Sequence, residues 1–304
     1  MKNNCLLDLI AAPFTPFNSD FSLNLDVVPQ IAEHLVKQKV TGAFINGSTG
    51  EWASLSREER RSVAEAWRRA TSKDLKLIVH VGHNCLADSE DLARHAEGLG
   101  VHAIAAVMPS YFRPNTVKEA VDFCRRIAEA APSTPFYYYH IPNMTGVNLK
   151  MVEFLHAACQ SIKTFRGIKF THSDLMDYSL TLADAKGKYD IRFGRDEYLL
   201  AALALGAKGA VGSTYNYSAR LYHKMIQAYA TGENEEARQL QFYIQRTILP
   251  LHKYGGIEVG KAVMALVGVD CGPVRPPLRN LVGEKLDAVK AELHSLDFFS
   301  KVRI

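Results

Sequence analysis

The sequence predicts an α/β fold of the (β/α)8 class, a TIM barrel over residues 1–216, followed by a helical extension over residues 217–304. Eight short apolar segments alternate with amphipathic segments of helical length, and this alternation stops after Thr214. A chain of 304 residues is long enough for such a barrel. A doubly wound sheet is the alternative, but no GxGxxG motif follows the first apolar segment.

The predicted strands are short segments rich in β-branched and aromatic residues. In chain order they are 6–14, 42–46, 75–82, 102–108, 136–141, 165–170, 190–194 and 209–212. Several intervening segments begin with helix-capping residues: Ser56 to Glu59 form a capping box, and Asn115 and Asn148 precede two further helices. After Thr214, helices are predicted at 218–230, 233–252, 257–267 and 278–296.

Composition argues against nucleic-acid and membrane partners. Hydrophobic residues make up 47% of the chain and charged residues 22%, which is ordinary for a globular protein. The net charge is +4, from 36 basic and 32 acidic residues, and it is dispersed. The densest basic group, at 57–69, alternates with glutamates on one predicted helix, so we expect a solvated face. No apolar run is long enough to cross a bilayer.

The cysteines predict a reducing compartment. Cys5, Cys85, Cys124, Cys159 and Cys271 are scattered and include no CxxC pair, so we expect neither a disulfide framework nor a zinc knuckle. The N-terminal apolar stretch is interrupted by a charge and by prolines and does not resemble a signal peptide. We therefore expect a cytoplasmic protein.

Polar clusters follow six of the predicted strands. Because barrel active sites form at the C-terminal ends of the strands, these clusters should share one rim and form one site. They are Gly47–Glu51 after the second strand, Pro109–Tyr111 after the fourth, Tyr139 at the end of the fifth, Lys169 and Thr171 at the end of the sixth, Gly194–Glu197 after the seventh, and Gly212–Asn216 after the eighth.

Lys169 is the main candidate for catalysis, because it lies in an apolar strand. Burial lowers the pKa of a lysine toward the range in which the free amine attacks a carbonyl. A buried amine near the phenol of Tyr139 suggests imine chemistry on a keto acid. The alternative is that Lys169 ends the strand or pairs with a carboxylate.

The remaining motifs indicate an anion site and argue against a metal site. The loop containing Ser48 and Thr49 precedes a helix, and its amides and hydroxyls suit a small anion; it could also be a plain tight turn. No cluster of lysines or arginines accompanies the loop at 209–213, which favours carboxylate over phosphate. His80 and His83 lie three apart on a strand and point to opposite faces, so no metal ligand set is expected.

Taken together, the motifs resemble the pyruvate-dependent class I aldolase superfamily of N-acetylneuraminate lyases and dihydrodipicolinate synthases, and most of all its N-acetylneuraminate lyases. The resemblance runs from about Leu9 through the C-terminal helices. The motifs that carry it are Gly-Ser-Thr-Gly-Glu at 47–51, Tyr-His-Ile-Pro at 139–142, Gly-Ile-Lys at 167–169, Gly-Arg-Asp-Glu at 194–197 and Gly-Ser-Thr-Tyr-Asn at 212–216.

The resemblance implies a role for each matching residue. Lys169 would be the Schiff-base lysine, Tyr139 the proton shuttle, and Ser48 and Thr49 the groups that hold the pyruvate carboxylate. The residues implied to contact the sugar portion are Thr171, Gly194, Asp196, Glu197 and Ser213. Tyr111 would lie at the site near a subunit contact. The family is usually homotetrameric, and its chemistry needs neither a metal nor another cofactor.

Two departures from the family pattern bear on the substrate. Asn143 and Met144 stand where dihydrodipicolinate synthases typically carry an arginine for their second substrate, which argues against that activity. Arg195 stands where related lyases often have an uncharged residue. The expected reaction is reversible cleavage of N-acetylneuraminate to pyruvate and N-acetylmannosamine. The alternatives are an aldolase for another 2-keto-3-deoxy sugar acid and a catalytically silent sugar-acid binding protein.

Overall fold

The computed structural model describes residues 7–72 and 74–303 and confirms the predicted barrel. Eight parallel strands pair in chain order, and β1 pairs with β8 to close the barrel. Each strand lies within one predicted segment. The strands are β1 (Asp8–Ala11), β2 (Gly42–Ile45), β3 (Lys76–His80), β4 (Ala103–Ala106), β5 (Phe136–His140), β6 (Phe165–Phe170), β7 (Asp190–Phe193) and β8 (Gly209–Gly212).

Helices connect the strands and continue after β8. Those between strands are α1 (Val28–Lys37), α2 (Arg57–Ala70), α3 (Leu86–Gly98), α4 (Val117–Glu129), α5 (Pro142–Thr145), α6 (Met151–Ser161), α7 (Leu175–Ala185) and α8 (Leu199–Ala204). Those after β8 are α9 (Tyr215–Thr231), α10 (Asn234–Tyr254), α11 (Gly256–Leu266), α12 (Glu284–Ser295) and α13 (Phe298–Val302). The domain boundary that we propose at 216/217 falls within α9.

Helix starts follow local capping chemistry. Ser56 caps α2 with the predicted capping box. Thr116, not Asn115, caps α4, because its side chain accepts from the backbone amide of Glu119. The Glu119 side chain in turn accepts from the backbone amide of Thr116. Asn148 does not cap α6, which begins after Lys150. The helix predicted from 278 begins only at Glu284, after Gly283, which has a φ of 56°.

The barrel interior is apolar toward the C-terminal ends of the strands and charged at their N-terminal ends. Inward side chains, including those of Phe44, Ile78 and Tyr139, pack into one cluster, separate from the larger core between strands and helices. At the N-terminal end of the strands, Asp8 pairs with Lys76 at 2.8 Å and with Arg192 at 3.2 Å. These charged side chains pair with one another at the N-terminal ends of the strands. The rim at the C-terminal ends is therefore where we expect a ligand site.

Candidate active site

A cavity of about 240 Å³ is lined by residues at the C-terminal ends of the barrel strands and by residues of the C-terminal extension. Nine of the ten predicted site residues line it: Ser48, Thr49, Tyr139, Lys169, Thr171, Gly194, Asp196, Glu197 and Ser213. Tyr111 does not line the cavity. The structure thus brings together residues that are up to 165 positions apart in the chain, as the polar clusters at the strand ends predict.

Lys169 is buried and flanked by two aromatic rings. Only 5% of the residue is exposed, and its Nζ lies 4.0 Å from the ring centre of Phe44 and 3.8 Å from that of Tyr139. Burial lowers the pKa of Lys169 to about 7, against a smaller opposing effect of the Asp196 carboxylate. A large fraction of this lysine is therefore a neutral amine near pH 7.

Tyr139 lies beside Lys169 on the neighbouring strand, since β5 and β6 pair these two residues directly. Its hydroxyl lies 3.3 Å from Ser48 Oγ. Burial raises the pKa of Tyr139 to about 12, so the phenol keeps its proton at neutral pH. The arrangement places a proton donor between the amine and the loop that carries Ser48.

The loop that carries Ser48 and Thr49 is held at both ends. Asn46 and Glu51 bracket it in the left-handed region, with φ values of 55° and 54°, which is costly for residues with a Cβ. Asn46 Nδ2 donates to the carbonyl of Arg60 at 2.9 Å. The amides and hydroxyls of the loop are thus fixed before any anion binds.

Glu51 ties this loop to the C-terminal extension. Its carboxylate pairs with Lys261 of α11 at 2.9 Å, with both side chains almost fully buried. It also accepts from the backbone amide of Arg275 at 2.9 Å. Lys261 donates in addition to the carbonyl of Pro273 at 2.6 Å. The sequence gives no signal for this pairing, because its partners are more than 200 residues apart.

Asp196 and Thr171 form the polar wall beside Lys169. The Asp196 carboxylate accepts from the amide of Thr214 at 2.9 Å and from its hydroxyl at 2.6 Å. Burial raises the pKa of Asp196 to about 6. Thr171 Oγ1 is buried without a hydrogen-bond partner among the described residues, which suits a ligand hydroxyl. A Cβ at Gly194 would collide with this same oxygen.

Glu197 and the C-terminal extension form the far wall. Glu197 pairs with Arg195, whose Nε lies 2.9 Å from Glu197 Oε1. Ile248, Leu251 and His252 of α10 line the cavity opposite the strands. Sequence reasoning missed these α10 residues and assigned no individual role to Thr214. Thr214 lies within a recognised motif, whereas the α10 residues look like any amphipathic helix face.

Tyr111 lies outside this cavity and is 81% exposed, next to Phe112, which is 85% exposed. The two rings contact edge to face with centres 5.0 Å apart. The predicted place of Tyr111 near a subunit contact stays a prediction.

One histidine near the cavity, His80, is engaged by a backbone carbonyl. His80 is buried, and its Nδ1 lies 2.7 Å from the carbonyl oxygen of Asn46. Burial, together with the positive charge of Arg60, lowers the pKa of His80 far below its usual value. Within residues 7–72 and 74–303, no three His, Cys, Asp or Glu side chains are grouped as metal ligands would be.

Comparison with known proteins shows the family of this chain. Residues 6–296 match the dihydrodipicolinate synthetase family. The N-acetylneuraminate lyase of Xenopus tropicalis is 43% identical over 297 residues, which are 96% of this chain and 97% of the relative. The N-acetylneuraminate lyase structure of Proteus mirabilis is 43% identical, with a TM-score of 0.94 over 97% of this chain and 100% of the other.

A third similar structure is that of a catalytic lysine mutant of the Ruminococcus gnavus sialic acid aldolase. It is 31% identical, with a TM-score of 0.91 over 99% of this chain and 100% of the other. Sequence and fold thus agree over nearly the whole length, and the chain belongs to the dihydrodipicolinate synthetase family.

Proposed function

We propose that this protein is a Schiff-base aldolase that reversibly cleaves N-acetylneuraminate to pyruvate and N-acetylmannosamine. The observation that carries the proposal is the buried amine of Lys169, with its pKa lowered to about 7, beside the phenol of Tyr139 in a cavity with a polar far wall. An amine of this kind is suited to attack a ketone at neutral pH.

The comparisons support the substrate. The Xenopus tropicalis and Proteus mirabilis proteins are named N-acetylneuraminate lyases, and the Ruminococcus gnavus protein is named a sialic acid aldolase with a catalytic lysine. The first two are each 43% identical to this chain. Two solved structures of the dihydrodipicolinate synthase type are 24% and 26% identical. We therefore assign the substrate of the lyases to this chain.

In the proposed mechanism, neutral Lys169 attacks the C2 ketone of the open-chain sugar acid. Loss of water gives a protonated imine, which withdraws electrons from the C3–C4 bond. The substrate carboxylate accepts the proton of the C4 hydroxyl, because the nearby phenol of Tyr139 is itself protonated. Tyr139 later gives its own proton to the enamine at C3 and takes the carboxylate's proton in its place. The C3–C4 bond then breaks and releases N-acetylmannosamine. Protonation of the remaining enamine at C3, followed by addition of water at C2, releases pyruvate and restores Lys169.

We assign the two ends of the substrate to opposite walls of the cavity. Ser48 and Thr49 would bind the carboxylate through hydroxyls and loop amides. The sugar hydroxyls would reach Thr171, Asp196, Glu197 and Ser213, with the backbone at Gly194. The unpartnered Thr171 Oγ1 supports this assignment, because a buried hydroxyl without a partner is costly.

Borohydride trapping with pyruvate tests the proposal. Reduction of the imine should leave one carboxyethyl group on the peptide that contains Lys169. Lys261 is the control within the same chain, because it is also buried but pairs with Glu51 and lies outside the cavity. Labelling of Lys261, labelling of another lysine, or no labelling would overturn the assignment. Release of pyruvate from N-acetylneuraminate by the purified protein then tests the substrate.

We also propose a homotetramer in the cytoplasm. The exposed rings of Tyr111 and Phe112 support an assembly that covers them. Cys85, Cys124, Cys159 and Cys271 are free thiols in the described chain, which supports a reducing compartment; Cys5 lies outside the described residues. Among the described helices, none combines the length and apolar character that a membrane span requires.

A further inference from the structure

Arg195 is a charged side chain at the site that the proposed reaction does not use. It does not line the cavity, whereas its neighbour in the ion pair, Glu197, does. We propose that Arg195 is a positioning residue: it orients Glu197 toward the distal hydroxyls of the sugar acid and thereby sets the preference of the site for long, polyhydroxylated substrates. This inference rests on the proposed function.

The geometry of the ion pair leaves one carboxylate oxygen free. Arg195 Nε donates to Glu197 Oε1 at 2.9 Å, and Arg195 Nη2 reaches the same oxygen at 2.5 Å. Glu197 Oε2 accepts no hydrogen bond from the described part of the protein. A carboxylate that is anchored through one oxygen presents the other in a defined direction, as a hydrogen-bond acceptor for a hydroxyl of the ligand.

The main chain of Glu197 is held from the other side. Gln245 of α10 donates its side-chain amide to the Glu197 carbonyl at 2.8 Å. The guanidinium of Arg195 also lies over the ring of Tyr198, at 5.8 Å from its centre. With its backbone fixed by α10 and its side chain fixed by Arg195, Glu197 has little rotamer freedom left to lose when a sugar binds.

The pair is partly buried but still reached by water. The side chains of Arg195 and Glu197 are 23% and 18% exposed, so water can solvate Glu197 when its partner is removed. Removal of Arg195 should therefore leave the protein folded and act mainly on how Glu197 meets the ligand.

The test compares Arg195→Met with wild type on a nine-carbon and a six-carbon substrate, N-acetylneuraminate and 2-keto-3-deoxygluconate. We expect kcat/KM for the nine-carbon acid to fall about tenfold, mainly through KM, because an oriented hydrogen bond to a charged group is lost. For the six-carbon acid, which is too short for the distal contact, kcat/KM should change less than about twofold. Pyruvate trapping at Lys169 should be unchanged. Arg195→Lys should recover part of the loss.

Two further variants complete the design. Arg125→Met removes another Arg–Glu pair, on α4, in which Arg125 lies 2.8 Å from Glu129. This pair lies outside the cavity, so the variant should leave kcat/KM unchanged for both substrates. The double variant Arg195→Met with Glu197→Gln should lose little more than Glu197→Gln alone, because both act through one contact. Equal losses on both substrates, or additive losses in the double variant, would overturn the inference. A wild-type protein that does not cleave N-acetylneuraminate would instead overturn the proposed function.

Discussion

At the scale of the residue, the central feature is a lysine whose environment changes its chemistry. Lys169 lies between the rings of Phe44 and Tyr139, and water solvates its ammonium form poorly there. The nearby Asp196 carboxylate offsets this effect only in part. A lysine exposed to water is protonated near neutral pH. Burial makes Lys169 available as a neutral nucleophile in that range.

The pH dependence of imine formation tests this interpretation. Only the neutral amine attacks, so the rate of pyruvate trapping at Lys169 should rise about tenfold per pH unit below the pKa and level off above about 7. The measurement is the initial rate of borohydride trapping at low pyruvate between pH 5 and 9. A rate that continues to rise toward pH 10 would mean that Lys169 keeps an ordinary pKa.

Tyr139→Phe should fold normally and lose about 10²–10⁴-fold in turnover, because only the phenolic hydroxyl is removed. Trapping of pyruvate at Lys169 should persist, since the amine and its burial are unchanged. The measurement is kcat for cleavage of N-acetylneuraminate beside trapping on the same variant. Turnover close to wild type would assign Tyr139 to packing.

At the scale of the element, the loop at 47–51 depends on a distant helix. Asn46, just before the loop, and Glu51, its last residue, have left-handed backbones that cost about 1–3 kcal/mol each, so tertiary contacts must hold them. Thr15 donates to the Gly50 carbonyl at 2.7 Å, and Lys261 of α11 pairs with Glu51. The C-terminal extension therefore supports the anion loop as well as lining the cavity.

Lys261→Met should destabilise the protein by about 3–5 kcal/mol, because it leaves the Glu51 carboxylate buried without its partner. The measurement is the free energy of unfolding in urea. The matched control is Lys253→Met, which breaks an exposed pair with Glu292 and should cost less than about 1 kcal/mol.

A second variant separates support of the fold from support of the loop. Glu51→Gln with Lys261→Met removes both charges, so it should recover much of the stability. If the pair positions the loop, this double variant should still show a raised KM for pyruvate in trapping. Unchanged KM in the folded double variant would limit the pair to a stabilising role.

At the scale of the whole molecule, the proposed tetramer should cover the exposed aromatic pair. Phe112→Asp should shift the protein toward smaller species, because a charge buried at an interface without a partner is unfavourable. Sedimentation velocity on wild type and variant checks this. Phe242→Asp is the control, since Phe242 is 52% exposed on α10 and far from Tyr111 in the chain. The same species in wild type and Phe112→Asp would place the contact elsewhere.

The sequence by itself determined the barrel and most residues of the candidate site. Strand and helix periodicity is local, and the C-terminal ends of parallel strands share one rim whatever the details of packing. For this reason the positions of Ser48, Lys169 and Glu197 at strand ends are enough to predict that they lie together. A lysine in an apolar strand likewise signals its own desolvation, so the direction of the pKa change of Lys169 was predictable too.

Only the tertiary structure decided which distant groups complete the site. The pairing of Glu51 with Lys261 and the α10 wall at Ile248, Leu251 and His252 join segments that no local pattern relates. The size of each pKa change also depends on burial by the closed barrel. Periodicity and spacing describe residues that are neighbours along the chain. Long-range ion pairs, buried hydroxyls without a hydrogen-bond partner and cavities arise from contacts that form only when the whole chain packs.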